Sequence, residues 1–271
     1  MNASRVRRFI QPPFSYEALF GFRKKPPKLS VTGLVLRRLF EQFPLATLFP
    51  NLCVFNSHAL RENSSDLSLV RKFMSPILEA LLLDVSTHLP THEVEQVLGA
   101  IPIEAHDLRE LSILMDDGAR AFAVLPSFGQ LPKLIELTIN RVDVCLTRQA
   151  ITNIQQARCL NSLSLSLSLP GTSYDGGVMA LELSRLERLS LSSDDLPQCT
   201  HFIRQITTRQ LSDIVIHHRQ PASPIEITVF MESLSTSCQN HGSFKHISMS
   251  DLSYSKEFDS FDAGHLLGLT F

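Results

Sequence analysis

Residues Asn161–Tyr174 read NSLSLSLSLPGTSY, leucine alternating with serine four times before a proline-glycine break. A period of two is the pattern of a strand with one apolar and one polar face. Alone, the stretch is equally consistent with an isolated amphipathic strand, a serine-rich linker or one copy of a repeat. The flanking sequence decides between them. Leu160, Leu163 and Leu165 have the form LxxLxL, which recurs at Leu78/Leu81/Leu83, Leu108/Leu111/Ile113, Leu134/Leu137/Ile139, Leu186/Leu189/Leu191, Leu211/Ile214/Ile216 and Phe244/Ile247/Met249, with a weaker copy at Leu52/Phe55. Successive first positions lie 26, 30, 26, 26, 26, 25 and 33 residues apart. In a chain that is 44% apolar one triplet carries no weight. Five in succession at near-constant spacing mark a repeat architecture.

The spacing has a physical reading. Residues two apart on a strand share a face, so the last two apolar positions of each triplet point inward while their neighbours point out. A unit of this length has room for a short strand, a return segment and two turns, which is the leucine-rich-repeat unit. The intervening sequence supplies the return helices. Thr91 caps a helix with Val94, Val97, Leu98 and Ile101 at i, i+3, i+4 and i+7, ended by Pro102; Thr200 precedes Phe202, Ile203 and Ile206; Met231, Leu234 and Cys238 repeat the spacing. The expected fold is therefore α/β, a leucine-rich-repeat solenoid of about eight irregular units, with parallel strands on a concave face and helices or irregular segments on the convex one. The expected division is a basic, proline-broken flank at 1–47, the solenoid at 48–252 and a C-terminal tail at 253–271 that reads as cut short, because it ends on apolar residues.

The register also names the side chains on the open face. The central column reads Asn56, Leu82, Ser112, Thr138, Ser164, Ser190, Val215 and Ser248. Beside it fall Asp84, Glu110, Glu136, Asn140, Ser162, Arg188, Asp213, His217 and His246. Small hydroxyls make a flat polar floor, acidic toward the N-terminal half and histidine-bearing toward the C-terminal end. Such a face is expected to bind a protein ligand, since solenoids present extended surfaces of this kind to partners. Leu163→Asp is expected to unfold adjacent units, and Ser164→Asp to cost little.

The net charge of −2 argues against a nucleic-acid partner, although residues 1–38 hold nine Lys or Arg against Glu17 alone. Pro12, Pro13, Pro26 and Pro27 break that region into pieces too short for a continuous basic helix. No apolar run reaches the ~18 residues of a membrane span, so neither membrane insertion nor a secretory leader is expected, and the chain reads as cytoplasmic or nuclear. The five cysteines, at 53, 145, 159, 199 and 238, form no CxxC pair and read as reduced, buried thiols. GxxxxGK[ST], GxSxG, HExxH and the Rossmann glycine fingerprint are all absent. Ser253 and Lys256 form an uninformative SxxK in a loop, Pro90 spoils the His88/His92 pair, and His217 and His218 fall on opposite faces. Asp116-Asp117-Gly118 and Asp194-Asp195 read as turns or helix caps. The reading is of a non-enzymatic chain with no catalytic residue, cofactor or metal.

The segments SRVRRF, LFPNLCVF (Leu48–Phe55), MSPILEALLL (Met74–Leu83), HDLRELSI, LPKLIELTI and SRLERLSL resemble, in that order, the leucine-rich region of F-box-like proteins of basidiomycete fungi. The resemblance covers nearly the whole chain. It implies a substrate-recognition solenoid which, in the family, is joined to an F-box that docks on an SCF ubiquitin ligase. The segment ahead of LFPNL is basic and proline-broken and matches the family's pre-repeat region, so no F-box is read in this chain. A link to the ligase is expected only if an F-box is supplied upstream. Without one the chain reads as a free-standing scaffold or decoy.

Overall fold

The structure is a computed structural model that describes residues 8–9, 33–44, 48–57, 68–85, 91–115, 128–140, 148–167, 181–237, 245–251, 256–257 and 261–262. Its centre is an open sheet of eight parallel strands: β2 (Val54–Asn56), β3 (Ala80–Val85), β4 (Glu110–Met115), β5 (Glu136–Asn140), β6 (Ser162–Leu167), β8 (Arg188–Ser193), β10 (Asp213–His218) and β11 (His246–Asp251). They lie side by side in chain order. At one edge β1 (Arg8–Phe9) pairs parallel with β2; at the other, β12 (Lys256–Glu257) and β13 (Phe261–Asp262) pair antiparallel with β11. A separate two-stranded sheet joins β7 (Leu181–Glu182) to β9 (Ile206–Thr207). The helices are α1 (Gly33–Gln42), α2 (Ser68–Lys72), α3 (Thr91–Glu104), α4 (Arg148–Gln155), α5 (Leu196–Gln205) and α6 (Pro224–Ser237), with a 3-10 turn at Phe128–Gln130.

The alternation read from the sequence sets which face is buried. In β6, Leu163, Leu165 and Leu167 are buried and Ser162, Ser164 and Ser166 half-buried; β8 and β10 repeat the pattern. The register runs Leu111↔Leu137↔Leu163↔Leu189↔Ile214↔Ile247, so the triplets stack rung on rung. Val94, Val97, Leu98 and Ile101 of α3, Phe202 and Ile203 of α5, and Phe230 and Leu234 of α6 join the same apolar core. At the β2 end Phe73 closes it, stacked on Phe55 at 4.2 Å and met edge-on by Phe40 of α1 at 4.9 Å.

A second regularity lies in the backbone. At each strand start two consecutive N–H groups donate to one carbonyl of the preceding unit: Asn161 and Ser162 to Ile135 at 2.8 and 3.0 Å, Glu187 and Arg188 to Asn161 at 2.8 and 3.0 Å. The same joint links Cys53 to Glu79, Glu79 to Arg109, Arg109 to Ile135, Glu187 to Ser212 and Ser212 to Lys245. The first leucine of a unit sits in a tight turn just ahead of the joint, as when the Leu160 N–H donates to Ala157 and the Leu186 N–H to Leu183.

Several expectations are corrected. Helix α3 runs two residues past Pro102. Proline forfeits a single hydrogen bond in that last turn, and Ala105 still donates to Ile101. Thr200 does not start a helix: it lies inside α5, its hydroxyl bonded to the Leu196 carbonyl, and Asp195 caps the helix by accepting from the Gln198 N–H at 3.0 Å. Ile206 falls in β9 and not on the helix. Helix α6 begins with a reciprocal capping box, Ser223 and Glu226 each accepting the other's backbone N–H, and those bonds hold the Glu226 carboxyl below its ordinary range. Of the N-terminal flank, β1 adds a strand to the sheet and α1 forms between Pro27 and Pro44. Of the cysteines, Cys199 is buried but Cys53 and Cys159 are half-exposed, because both stand at turns just before strands. Lys256 belongs to a short strand and not to a loop. His88, Cys145, Cys238, Phe244, Ser253, Pro170-Gly171 and Asp116-Asp117-Gly118 lie outside the described residues.

Candidate binding face of the sheet

Parallel pairing converts the outward strand positions into rows. The first runs Glu110↔Glu136↔Ser162↔Arg188↔Asp213↔His246, and the second Ser112↔Thr138↔Ser164↔Ser190↔Val215↔Ser248. Glu110 and Arg188 are exposed; the others in these rows are half-buried. Of Asp84 and Asn140 the structure gives the backbone register alone, both opposite Leu114. The side chains of these two rows alternate along their strands with the buried apolar positions.

Their partners set what the face offers. Arg188 Nη2 lies 2.5 Å from Glu136 Oε1, an ion pair that spans the strand between them. Both side chains are about half exposed, at 54% and 41%, so the pair adds little to stability and stands on the surface as a fixed dipole. Asp213 accepts from the Ser212 hydroxyl. His217 Nδ1 meets Ser250 Oγ at 2.5 Å, and burial, with the neighbouring His218, pushes the His217 imidazole below its ordinary range. It is therefore neutral at neutral pH. His218 faces the core and donates from Nδ1 to the Gln220 carbonyl at 2.7 Å. The expected histidine zone is not one site: His246 stands opposite Asp213 in the first row, whereas His217 is opposite Ser250, four residues further along the strands. That separation is roughly 13 Å.

The reading from sequence missed three features. The residue just before each first leucine forms its own column at the turns: Lys133 Nζ lies 2.9 Å from Asp107 Oδ1, and two rungs on Arg185 Nη1 approaches Cys159 Sγ at 3.8 Å. The Lys133 bond, against a smaller opposing effect of burial, holds the Asp107 carboxyl low. The repeat spacing itself held the signal for this column. A cleft of about 400 Å³ adjoins that second pair, bounded by Arg158, Cys159, Glu182 and Arg185 among others. A second cleft, of about 440 Å³, lies between Phe40, Phe43, Pro44, Arg71 and Lys72. The third feature is buried: Ser193 donates to the Asp195 carbonyl and stands 3.2 Å from Cys199 Sγ, whose thiol burial pushes up to about 11. Such a thiol stays protonated and donates to Ser193, a structural role that only the fold's packing reveals.

Among the described residues no three His, Cys, Asp or Glu side chains gather where they could hold a metal ion. Among the described residues no helix is long and apolar enough to cross a membrane. No family model matches the chain, and no curated protein matches it.

Proposed function

We propose that the chain is a leucine-rich-repeat solenoid that binds another protein through the outward face of its sheet, in the manner of the substrate-recognition region of F-box-like proteins. The observation that carries this reading is the second row of that face, in which Ser112, Thr138, Ser164 and Ser190 stand in unbroken register and Ser248 follows beyond Val215. Side chains of that size leave a flat floor on which a partner can lie close to the backbone, and their hydroxyls both donate and accept. The repeated joint and the stacked leucines support the solenoid, because each unit buries its apolar rung only against its neighbours. The reading makes the chain an intracellular interaction module and assigns it no reaction.

Proteins retained from a basidiomycete lysate by the full chain should be lost when Ser164→Arg and Ser190→Arg fill the floor, with circular dichroism showing the fold intact. Retention of the same set by the doubly substituted chain would overturn the reading. A cullin in that set would add the ligase role; its absence would favour a free-standing scaffold.

A further inference from the structure

The charges of the outward face are unevenly satisfied. Glu110 and Glu136 are direct neighbours in register, and like charges so placed repel. Arg188, the cation of this row, stands next to Asp213 and Ser162 but pairs with Glu136. Among the described residues no ion pair joins Glu110 to Arg109, which contributes to holding the Asp107 carboxyl low, behind Lys133 and His106. Among the described residues Glu110 is thus left exposed with no cation, and Asp213 holds only the Ser212 hydroxyl beside the imidazole of His246. Four strand steps separate them, roughly 19 Å. Two half-buried apolar side chains share this face, Leu82 on β3, opposite Ser112, and Leu114 four residues beyond Glu110 on β4, opposite Asp84 and Asn140.

We propose that the partner presents a cationic segment that sets one lysine or arginine against Glu110, a second against Asp213, and an apolar side chain on the shelf of Leu82 and Leu114. This rests on the preceding reading that the outward face is the binding face. Charge complementarity selects the occupant: an acidic segment would meet Glu110, Glu136 and Asp213 with Arg188 already engaged. The Arg188–Glu136 pair stands across the direct line between the two carboxylates, so the segment passes beside it, over Thr138, Ser164 and Ser190 in the neighbouring row.

The test is selection of random linear peptides displayed on phage against the full chain. The expected binders are rich in lysine and arginine with an apolar residue to one side, weaken as salt is raised, and lose about tenfold or more in affinity to Glu110→Lys or Asp213→Lys. Glu110→Gln should give a smaller loss with the shape of the face unchanged, and melting curves check folding of every variant. Binders abolished by Ser164→Arg with Ser190→Arg but indifferent to both charge reversals would overturn the cationic partner and leave the face reading standing. Binders indifferent to all four substitutions, or no binders at all, would overturn both.

Discussion

Arg188 pairs with Glu136 over the top of Ser162, its Nη2 2.5 Å from Oε1 although two strand steps separate the residues. Adjacent strands are about 4.8 Å apart, so the guanidinium must cross close to 10 Å of sheet. Only a small side chain beneath it leaves that path open.

Ser162→Leu should therefore break the pair. A double-mutant cycle with Arg188→Met and Glu136→Gln is expected to give a coupling of about 0.2–1 kcal/mol in the native chain, as exposed ion pairs do, and none in the Ser162→Leu background. Equal coupling in both would show that the arginine reaches Glu136 by another route.

The alternation makes a sharper prediction about stability. Leu163 is 1% exposed in the shared core, and Leu163→Asp, which places a charge there, should exceed the ~2–5 kcal/mol of a buried Leu→Ala change. Ser190, half-buried on the outward face, should tolerate Ser190→Asp within ~0.5 kcal/mol. Urea unfolding of the two variants, read by circular dichroism, checks the register. Comparable midpoints would contradict it.

The Cys199 thiol sits at about 11 in the folded chain against an ordinary 9.0. A folded value above the unfolded one means that the unfolded chain gives up its proton first. The stabilising contribution is thus complete below about pH 9 and is lost as pH rises toward 11. Two pH units of displacement correspond to a few kcal/mol, on the order of 2–3. Unfolding free energies of the native chain and Cys199→Ala should draw closer across that range. A constant difference would show that the thiol is not held protonated. At neutral pH a thiol reagent should label Cys53 and Cys159 well before Cys199.

Asp107 with Lys133 and Cys159 with Arg185 occupy the same position in successive pairs of units. Cys159→Asp should give Arg185 a carboxylate and create a second ion pair of the first kind. Melting should rise by about 1–3 °C in low salt, and the gain should vanish in ~1 M salt. No change at low salt would mean that the Arg185 side chain does not settle against residue 159.

What the sequence disclosed and what it withheld follow from range. Leu163, Leu189 and Ile214 were readable because a period of two within strands and of about 26 between them is written in residue type. The outward rows follow from the same register, and so Glu110, Ser164 and Asp213 fall where expected. The bond from Arg188 to Glu136 was not readable: it depends on the reach of one side chain across 52 residues of chain. Strand β1 escaped notice because two residues carry no periodicity; the cap at Asp195 was readable as a turn-or-cap residue after a strand, whereas the apolar spacing alone set the helix start too late, near Thr200. The separation of His217 from His246 was also written in the register, since they fall six residues after Leu211 and two after Phe244.

The joint that fastens each strand start to its predecessor has a consequence for change in length. The junctions from Glu79 to Arg109 and from Arg109 to Ile135 have the same pair of bonds, 2.8 and 3.0 Å, although one unit advances the chain by 30 residues and the other by 26. Added residues are therefore taken up between one strand and the next without shifting the phase of either. Insertions and deletions confined to those connections should be tolerated, whereas removal of Asn161 would put Ser164 and Ser166 where Leu163 and Leu165 now lie.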